Sequence, residues 1–471
     1  MNSSLDAYNT GDCIAALATA WGQSALAIIR ASGEGSIERM TPAFSRPEKL
    51  RAARGKTLLH GLITDPKNGE PVDDVMLSVF RGGEGYTGEE AFEIYCHGSL
   101  PGIRRILEIL RGLGFRPAQP GEFTFRAFCN GKMDLTRAEA VQEIVSAQTG
   151  KAHSLALHRL AGSIAQRINA AKDILAEILA GMEIRLDYPE EDAPDSAAAG
   201  EARLLIAQAE EILERLLAGY TEGRLYQEGV CVAFAGRTNA GKSSLFNFFL
   251  KEDRSIVSEA PGTTRDYIEA VIPVAGIPVK FYDTAGLRDS SDPVETEGVR
   301  RSRRLLDAAD LILYLVDASQ AKGGRVPPED KENILRLEEG SPSGRVLAAW
   351  NKIDIAASPL FGDDRAEDEL LRISARTGEG VPELLSALEK RLAPRHPIAG
   401  EETLTGSSRQ RDLLEKSLAA IRRFRSREGK YPLDILAEDI REALNALGEI
   451  TGEVTTEEML ALMFSRFCVG K

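Results

Sequence analysis

The segment from Gly236 to Ser243 has the residue types and spacing of a phosphate-binding loop. It reads GRTNAGKS, fits the pattern G-x-x-x-x-G-K-S, and lies between an apolar run, 230–235, and the helix-like sequence SLFNFFL. Glycines let backbone N–H groups turn inward around phosphate, and the start of the next helix adds partial positive charge. Lys242 can then reach the outer phosphates, and the Ser243 hydroxyl can bind Mg²⁺. These residues predict a nucleoside triphosphate site.

Two later motifs have the order that guanine recognition requires. Asn351-Lys352-Ile353-Asp354 follows the apolar run VLAAW. The Asp354 carboxylate can accept hydrogen bonds from N1–H and the exocyclic amine of guanine, whereas adenine would leave this buried charge unpaired. Ser374-Ala375-Arg376 follows a short strand-like run, and the Ala375 amide is expected to face guanine O6. The base is therefore predicted to be guanine.

The segments between these motifs supply the remaining metal and phosphate contacts. Asp283-Thr284-Ala285-Gly286 follows the run VKFY, where the carboxylate can reach the metal through water and the Gly286 amide can contact the γ-phosphate. Thr264, in the loop PGTTRD, is the predicted second protein oxygen on Mg²⁺. The residues predicted to bind GTP are Asn239, Ala240, Gly241, Lys242, Ser243, Ser244, Ser258, Glu259, Ala260, Pro261, Gly262, Thr263, Thr264, Asp283, Thr284, Ala285, Gly286, Asn351, Lys352, Asp354, Ser374, Ala375 and Arg376.

The motifs alone leave open which group positions the attacking water. Many small GTPases have glutamine directly after the glycine of D-x-x-G, but this chain has Leu287, which cannot polarise water. The segment 292–297 offers carboxylates in its place. Positive charge could come from Arg237, Arg265 or Arg288, each of which also fits a solvated surface charge, or from a bound monovalent cation.

The periodicity of apolar residues predicts the elements that position these groups. Residues 1 to about 130 alternate short β-rich runs with one helical stretch, 102–113, which predicts a compact α+β domain. From about residue 133, apolar residues recur every three or four positions. Two long helices are expected there, the second covering 204–217 and ending before Gly219.

The second half of the chain changes character twice. From Gly229 to about Leu392, β-like runs, glycine loops and helices alternate, as in a parallel sheet of βαβ units. After Pro394 the pattern is helical again, and Thr455 with Glu458 predicts a capping box at the start of the last helix. The simplest arrangement is one helical domain into which an α/β domain is inserted, because domain termini often lie close together.

Composition narrows the class of protein. The 471 residues include 58 Lys and Arg against 72 Asp and Glu, a formal charge of −14, which disfavours a protein that coats nucleic acid. An RNA substrate then requires a local patch or a partner's surface. The five cysteines are scattered without C-x-x-C pairs, which favours a reducing cytoplasm. No segment approaches the roughly 18 apolar residues that span a bilayer, so an unprocessed, soluble protein is expected.

These motifs, together with a chain that ends in FCVGK, resemble the MnmE (TrmE) family of tRNA modification GTPases. The likeness extends over nearly the whole chain and includes the blocks 86–89, 93–98, 120–135, 187–191 and 447–452. The family has a discontinuous helical domain that carries an inserted Ras-like P-loop GTPase domain, the G domain. The resemblance implies four segments: a tetrahydrofolate-binding and dimerisation α+β domain at 1–131, the helical domain at 132–228 and 394–471, and the G domain at 229–393.

The resemblance also implies how hydrolysis works. In the family, the G domains of two subunits meet across potassium. By motif position, Asn239, Thr263 and the backbones of Ser258 and Ala260 would bind potassium, and Glu295 would orient the water. The family commonly has Thr where Ser258 stands, a difference that a backbone ligand tolerates.

A folate site is implied for the first domain. By resemblance it consists of Arg30, Glu93, Lys132 and the C-terminal Lys471. Cations suit the glutamate tail of a folate, and a carboxylate suits the donors of its pterin. Cys468 fits either a structural role or a reactive thiol.

The implied function is a homodimeric, cytoplasmic GTPase that acts with MnmG, an FAD protein, on the wobble uridine of tRNA. It would add an aminomethyl or carboxymethylaminomethyl group at C5, with the carbon from a 5-formyl- or 5,10-methylene-tetrahydrofolate. The alternative is a GTP-switched assembly factor for ribosomes or other RNA. That alternative predicts a basic RNA-binding appendage, but the flanks have no G-x-x-G in a basic KH-like setting.

Overall fold

The computed structural model describes residues 8, 10–188, 196–251, 269–282, 304–321, 324–339, 344–356, 370–392 and 406–470. The chain divides into two compact units. The first contains Met1–Val145, His158–Glu214 and Asp412–Lys471, and the second contains Ser146–Leu157 and Arg215–Arg411. The chain therefore leaves the first unit and returns to it, as an inserted domain requires.

The first unit contains a six-stranded sheet in the order β3-β4-β5-β2-β1-β6. Its strands are β1 Ile14–Leu17, β2 Ser24–Ser32, β3 Thr57–Thr64, β4 Pro71–Phe80, β5 Ala91–Gly98 and β6 Arg116–Pro117. All neighbours are antiparallel except β1 and β6. Apolar residues alternate along β2, so that Ala27, Ile29 and Ala31 are buried together with Ile103 and Ile106 of the helix Leu100–Gly112. This alternation gives the sheet one face in the core.

The second unit contains a sheet in the order β12-β11-β10-β7-β9-β8, which is parallel except for the antiparallel pair β8 and β9. Its strands are β7 Val230–Ala235, β8 Glu269–Val274, β9 Ile277–Tyr282, β10 Leu311–Asp317, β11 Val346–Asn351 and β12 Leu371–Arg372. The first six residues of β10 are buried, as in strands covered on both faces. Because β7, β10 and β11 are parallel, the loops that follow them start from the same edge of the sheet.

Helices supply the rest of both units. The α-helices with both ends in the described ranges are Ser36–Met40, Pro47–Ala52, Leu100–Gly112, Glu122–Cys129, Leu135–Ser146, Gly150–Leu160, Ser163–Asp187, Ser196–Glu228, Lys242–Lys251, Pro328–Glu339, Val381–Leu392, Ser408–Arg427, Leu433–Thr451 and Glu457–Phe464. In the first unit, Ser163–Asp187 packs against Leu433–Thr451, and Arg441 pairs with Glu183 at 3.0 Å. Segments far apart in sequence thus form one helical layer.

Two local predictions were wrong. The helix Ser196–Glu228 continues through Gly219, because Leu216 and Tyr220 on either side are buried and their packing outweighs a cost of about 1 kcal/mol for a helical glycine. The last helix is capped by Thr456 rather than Thr455, since the Thr456 hydroxyl accepts a hydrogen bond from the Met459 amide at 3.4 Å. The short helices Ser36–Met40, Pro47–Ala52 and Glu122–Cys129 were also not expected.

The predicted fold class is confirmed: a mixed sheet with helices, a helical domain in two pieces and an inserted α/β unit. The exact domain boundaries stay a prediction. Among the described residues, every helix is too short or too polar to span a membrane.

Candidate functional sites

The loop 236–241 joins β7, inside the parallel sheet, to the helix Lys242–Lys251. Gly241 has φ +93°, and a Cβ atom there would lie 2.1 Å from Asn351 Nδ2. Gly236 has φ +131°, and a Cβ atom there would lie 2.4 Å from the carbonyl oxygen of Leu315. Both positions require glycine because their φ values are positive and because the Asn351 side chain and the Leu315 backbone leave no room for a Cβ atom. The motif's glycines are thus explained by the fold.

Lys242 lies across this loop. Its ammonium donates hydrogen bonds to the carbonyl oxygens of Gly236 at 2.8 Å and Arg237 at 2.7 Å. Lys242, Ser243 and Ser244 line a cavity of about 1000 Å³. The positive charge therefore lies where the loop amides and the helix start converge, as phosphate binding requires.

Part of the cavity lining comes from residues that no motif indicated. Tyr314 of β10 lines it together with Asn333 and Arg336 of the helix Pro328–Glu339. The Tyr314 hydroxyl donates a hydrogen bond to Asp330 at 2.8 Å. Burial is the main cause that raises the pKa of Tyr314, and this hydrogen bond is the second. This hydrogen bond fastens the helix to the sheet beside the site.

Arg237, one candidate for a catalytic arginine, has another partner. Its guanidinium is 2.9 Å from Glu329, and both side chains are exposed. It therefore stands at the rim of the cavity as a paired surface charge.

One buried side chain joins the phosphate loop to both base motifs. Asn351 is fully buried at the end of β11, and its Nδ2 donates to the carbonyl oxygen of Ala240 at 2.8 Å. Its Oδ1 accepts the amide N–H of Ala375 at 3.0 Å. The structure thus brings together three motifs that are separated in sequence. The Ala375 amide already donates to Asn351, so the predicted contact with guanine O6 would require this N–H to be shared between two acceptors.

Asp354 is held in a single 3-10 turn, Ile353–Ile355. Its Oδ1 accepts a hydrogen bond from the buried Ser374 hydroxyl at 2.7 Å, and its Oδ2 lies 4.0 Å from Arg376. The Ser374 hydroxyl also accepts the Thr377 amide at 3.2 Å, which orients it. The Ser374 hydroxyl therefore orients the carboxylate, which can still accept further hydrogen bonds.

Part of the predicted site lies outside the described residues. These are Ser258, Glu259, Ala260, Pro261, Gly262, Thr263, Thr264, Arg265, Asp283, Thr284, Ala285, Gly286, Leu287, Arg288 and Glu295. Asn239 is described and has φ +64°, a left-handed conformation that asparagine tolerates better than most residues.

A second cluster lies in the first unit. Arg30 of β2 and Glu93 of β5 are paired across the sheet, with Nε and Oε1 2.8 Å apart. The Arg30 guanidinium also donates to the carbonyl oxygen of Gly470 at 3.1 Å and lies 5.6 Å from the Tyr86 ring and 5.7 Å from the Phe123 ring. Two of the predicted folate residues and the C-terminal tail therefore meet. The two rings are contacts that the sequence did not single out.

The other two predicted folate residues are Lys132 and Lys471. The Lys132 ammonium donates to the carbonyl oxygen of Gly83 at 2.9 Å, and Lys471 lies outside the described residues. The tail itself is held by a hydrogen bond from the Gly121 amide to the Cys468 carbonyl oxygen at 3.2 Å. The tail therefore contacts Arg30 of the sheet at Gly470, the residue before the predicted Lys471.

A buried ion network holds the helix Glu122–Cys129 beneath Arg30. Arg126 is fully buried and pairs with Asp12 at 2.7 Å and Glu122 at 3.1 Å. Burial alone would raise the pKa of Asp12, but hydrogen bonds from Arg116 and Arg126 outweigh it and lower that pKa. The helix that carries Phe123 is therefore anchored by charge.

Comparison with known proteins extends over nearly the whole chain. The family model for the MnmE helical domain matches residues 135–468, and the model for the TrmE N-terminus matches 13–132. Proteins named tRNA modification GTPase MnmE from Treponema denticola and Borrelia recurrentis are each 40% identical, over 98% of this chain and 99% of theirs. A solved G domain of the T. maritima FeoB iron transporter is 29% identical and covers 35% of this chain and 99% of its own, with a TM-score of 0.26. By the family models and the two full-length relatives, the chain belongs to the MnmE family of tRNA modification GTPases.

Proposed function

We propose that this GTPase depends on potassium and acts with MnmG, an FAD protein, on the wobble uridine of certain tRNAs. The reaction would add a carboxymethylaminomethyl or aminomethyl group at C5, with the carbon supplied by 5,10-methylene-tetrahydrofolate. GTP hydrolysis would drive pairing of two G domains, because loops ordered by the γ-phosphate favour one arrangement over the other.

The observation that best supports the GTP site is the buried side chain of Asn351. Its two hydrogen bonds join the phosphate loop, at Ala240, to the segment that contains Ala375. Phosphate groups bound at the loop would then lie at a set distance from a base bound at Asp354. A nucleotide requires a fixed distance between its phosphate site and its base site, and no single motif provides both.

Magnesium fits the phosphate side of the cavity. Ser243 lines it next to Lys242, and a hydroxyl oxygen is a ligand type that Mg²⁺ accepts. Thr264 is the proposed second ligand. When bound with GTP, the ion neutralises charge on the β- and γ-phosphate oxygens.

Replacing potassium by sodium is expected to lower the GTPase rate by about 100-fold, the typical loss when one group that stabilises transition-state charge is removed. The proposed ligands are Asn239, Thr263 and the backbones of Ser258 and Ala260, with Glu295 orienting the water. The measurement is kcat against potassium concentration, with and without folate. Asn239→Ala should have the low rate in both salts, and equal wild-type rates in both salts would remove the cation mechanism.

Arg30→Gln is expected to weaken binding of 5-formyl-tetrahydrofolate by about 10- to 100-fold, as for loss of a charged hydrogen bond. The proposed site consists of Arg30, Glu93, Lys132 and Lys471, and its support is the meeting of Arg30, Glu93 and the tail at Gly470. Equilibrium binding of labelled folate to the full chain measures the effect.

The matched control for Arg30 is Arg104→Gln, an exposed arginine that lies over the Trp21 ring in the same unit. Folate affinity and GTPase rate should both stay at the wild-type level in that variant. A wild-type protein that does not bind folate would contradict the carbon-transfer role and favour the assembly-factor alternative.

The proposed partners are a second copy of this chain, MnmG in a heterotetramer, and tRNA as the substrate of the complex. The proposed location is the cytoplasm. The net charge of −14 supports the view that much of the tRNA contact comes from the partner, because phosphate binding draws on Lys and Arg.

A further inference from the structure

We propose that Asp317 is a positioning residue for guanine nucleotides: it holds Lys352 and, through Lys352, the loop that carries Asn351 and Asp354. This role rests on the proposed GTP site and deepens it. No sequence motif pointed to Asp317, because it lies 34 residues before Asn351 at the end of another strand.

The sheet brings the two residues together. β10 and β11 are parallel neighbours, and Asp317 is paired in register with Asn351 at the ends of both strands. Lys352 follows directly, and its Nζ lies 2.7 Å from Asp317 Oδ2. The side chains are 14% and 29% exposed for Asp317 and Lys352, so the ion pair is largely shielded from solvent.

Lys352 has a backbone conformation that needs support. Its φ is +64° and its ψ is +36°, in the left-handed region that a lysine rarely adopts. Such conformations persist where the surroundings hold them, and they are concentrated at functional sites. The ion pair with Asp317 holds the far end of this side chain, while the strand holds the backbone before it.

Asp317 is itself fixed. Its Oδ1 accepts hydrogen bonds from the Ser319 amide at 3.0 Å and from the Ser319 hydroxyl at 2.6 Å. Burial alone would raise the pKa of Asp317, but the bonds from Lys352 and Ser319 outweigh it and lower that pKa. The carboxylate therefore stays charged at neutral pH and is oriented toward Lys352.

The Lys352 side chain passes beside the phosphate loop. Lys352 lines the same cavity as Lys242, and its Cε lies 3.9 Å from the position that a Cβ on Gly241 would occupy. The side chain thus runs beside Gly241 on its way to Asp317. The aliphatic part of the side chain therefore lines the cavity beside Gly241, while the ammonium pairs with Asp317.

Loss of Asp317 should therefore act on binding and leave the chemical step unchanged. Without its partner the Lys352 ammonium is free to move, and the loop must become ordered when the nucleotide binds, which lowers affinity. In the proposed site, GDP and GTP contact this loop through the same guanine base. The affinities for both nucleotides should therefore fall equally. A change in uniform binding alters affinity without altering kcat.

The test compares Asp317→Asn with Asp310→Asn in the full chain, using fluorescent GDP and a non-hydrolysable GTP analogue. Asp310 precedes the opposite end of β10, where it accepts the Cys231 amide at 2.9 Å. Asp317→Asn should raise both dissociation constants by about 10- to 100-fold, with kcat at saturating GTP within about twofold of wild type. Asp310→Asn should change neither quantity.

A double-mutant cycle with Lys352→Met separates positioning from general destabilisation. If Asp317 acts through Lys352, the double variant should bind GDP no more weakly than Lys352→Met alone. If Asp317→Asn does not fold, Ser319→Ala replaces it, with a smaller rise in the dissociation constants expected.

Wild-type affinity in Asp317→Asn, additive losses in the double variant, or a loss of kcat equal to the loss of affinity would each overturn the role of Asp317. For the substitute variant, unchanged affinity in Ser319→Ala would do so. A wild-type chain that binds neither nucleotide would instead refute the proposed function itself.

Discussion

Asp354→Asn is expected to weaken GTP binding by at least about 100-fold, because two hydrogen bonds to a charged acceptor are worth about 3 kcal/mol or more. The carboxylate is fixed by the Ser374 hydroxyl at 2.7 Å, so it cannot turn away from the base without losing that bond. The asparagine amide can instead donate to the second oxygen of xanthine. We therefore expect xanthosine nucleotides to bind the variant better than guanosine nucleotides do. Competition of GDP and XDP against a fluorescent nucleotide measures this change.

Turnover of XTP by the same variant is the internal control, since a near wild-type rate would show that the fold and the phosphate site are intact. Glu383→Gln is the matched control, because it neutralises an exposed carboxylate in the first turn of the helix Val381–Leu392. That variant should keep wild-type affinity for GTP. Unchanged GTP affinity in Asp354→Asn would refute the assignment of guanine.

Lys242→Ala is expected to lower the rate of GTP hydrolysis by about 1000-fold at saturating GTP. The ammonium lies at the mouth of the loop, 2.8 Å from the Gly236 carbonyl oxygen and 2.7 Å from that of Arg237. From there it can neutralise charge that develops on the outer phosphates, and removal of one such group costs roughly 100- to 1000-fold in rate. Single-turnover hydrolysis measures the chemical step directly.

Lys251→Ala, at the exposed end of the same helix, is the matched control and should hydrolyse GTP at the wild-type rate. GDP affinity should fall less than the hydrolysis rate in Lys242→Ala, because GDP lacks the γ-phosphate. A rate within tenfold of wild type would show that another cation neutralises the phosphates.

The nucleotide motifs could be placed on their elements from the sequence because each is a short strand followed by a loop. The apolar residues of VCVAFA bury β7, and the glycines after it permit the backbone to turn, so both the element and its chemistry are encoded within about a dozen residues. The same holds for Asn351 at the end of β11. The sequence was a poorer guide where local preference and packing disagree, as at Gly219, which buried neighbours keep inside a helix.

The sequence by itself determined which residues we propose for phosphate and guanine, since charge, hydrogen-bonding capacity and glycine freedom belong to the residues themselves. Only the tertiary structure decided which of them meet. Asn351 reaches Ala240, Asp317 holds Lys352, and Arg30 contacts Gly470 from 440 residues away. Such contacts depend on strand order and on the return of the chain to its first unit, and the free energy that selects them comes from burial summed over whole elements rather than from any local segment.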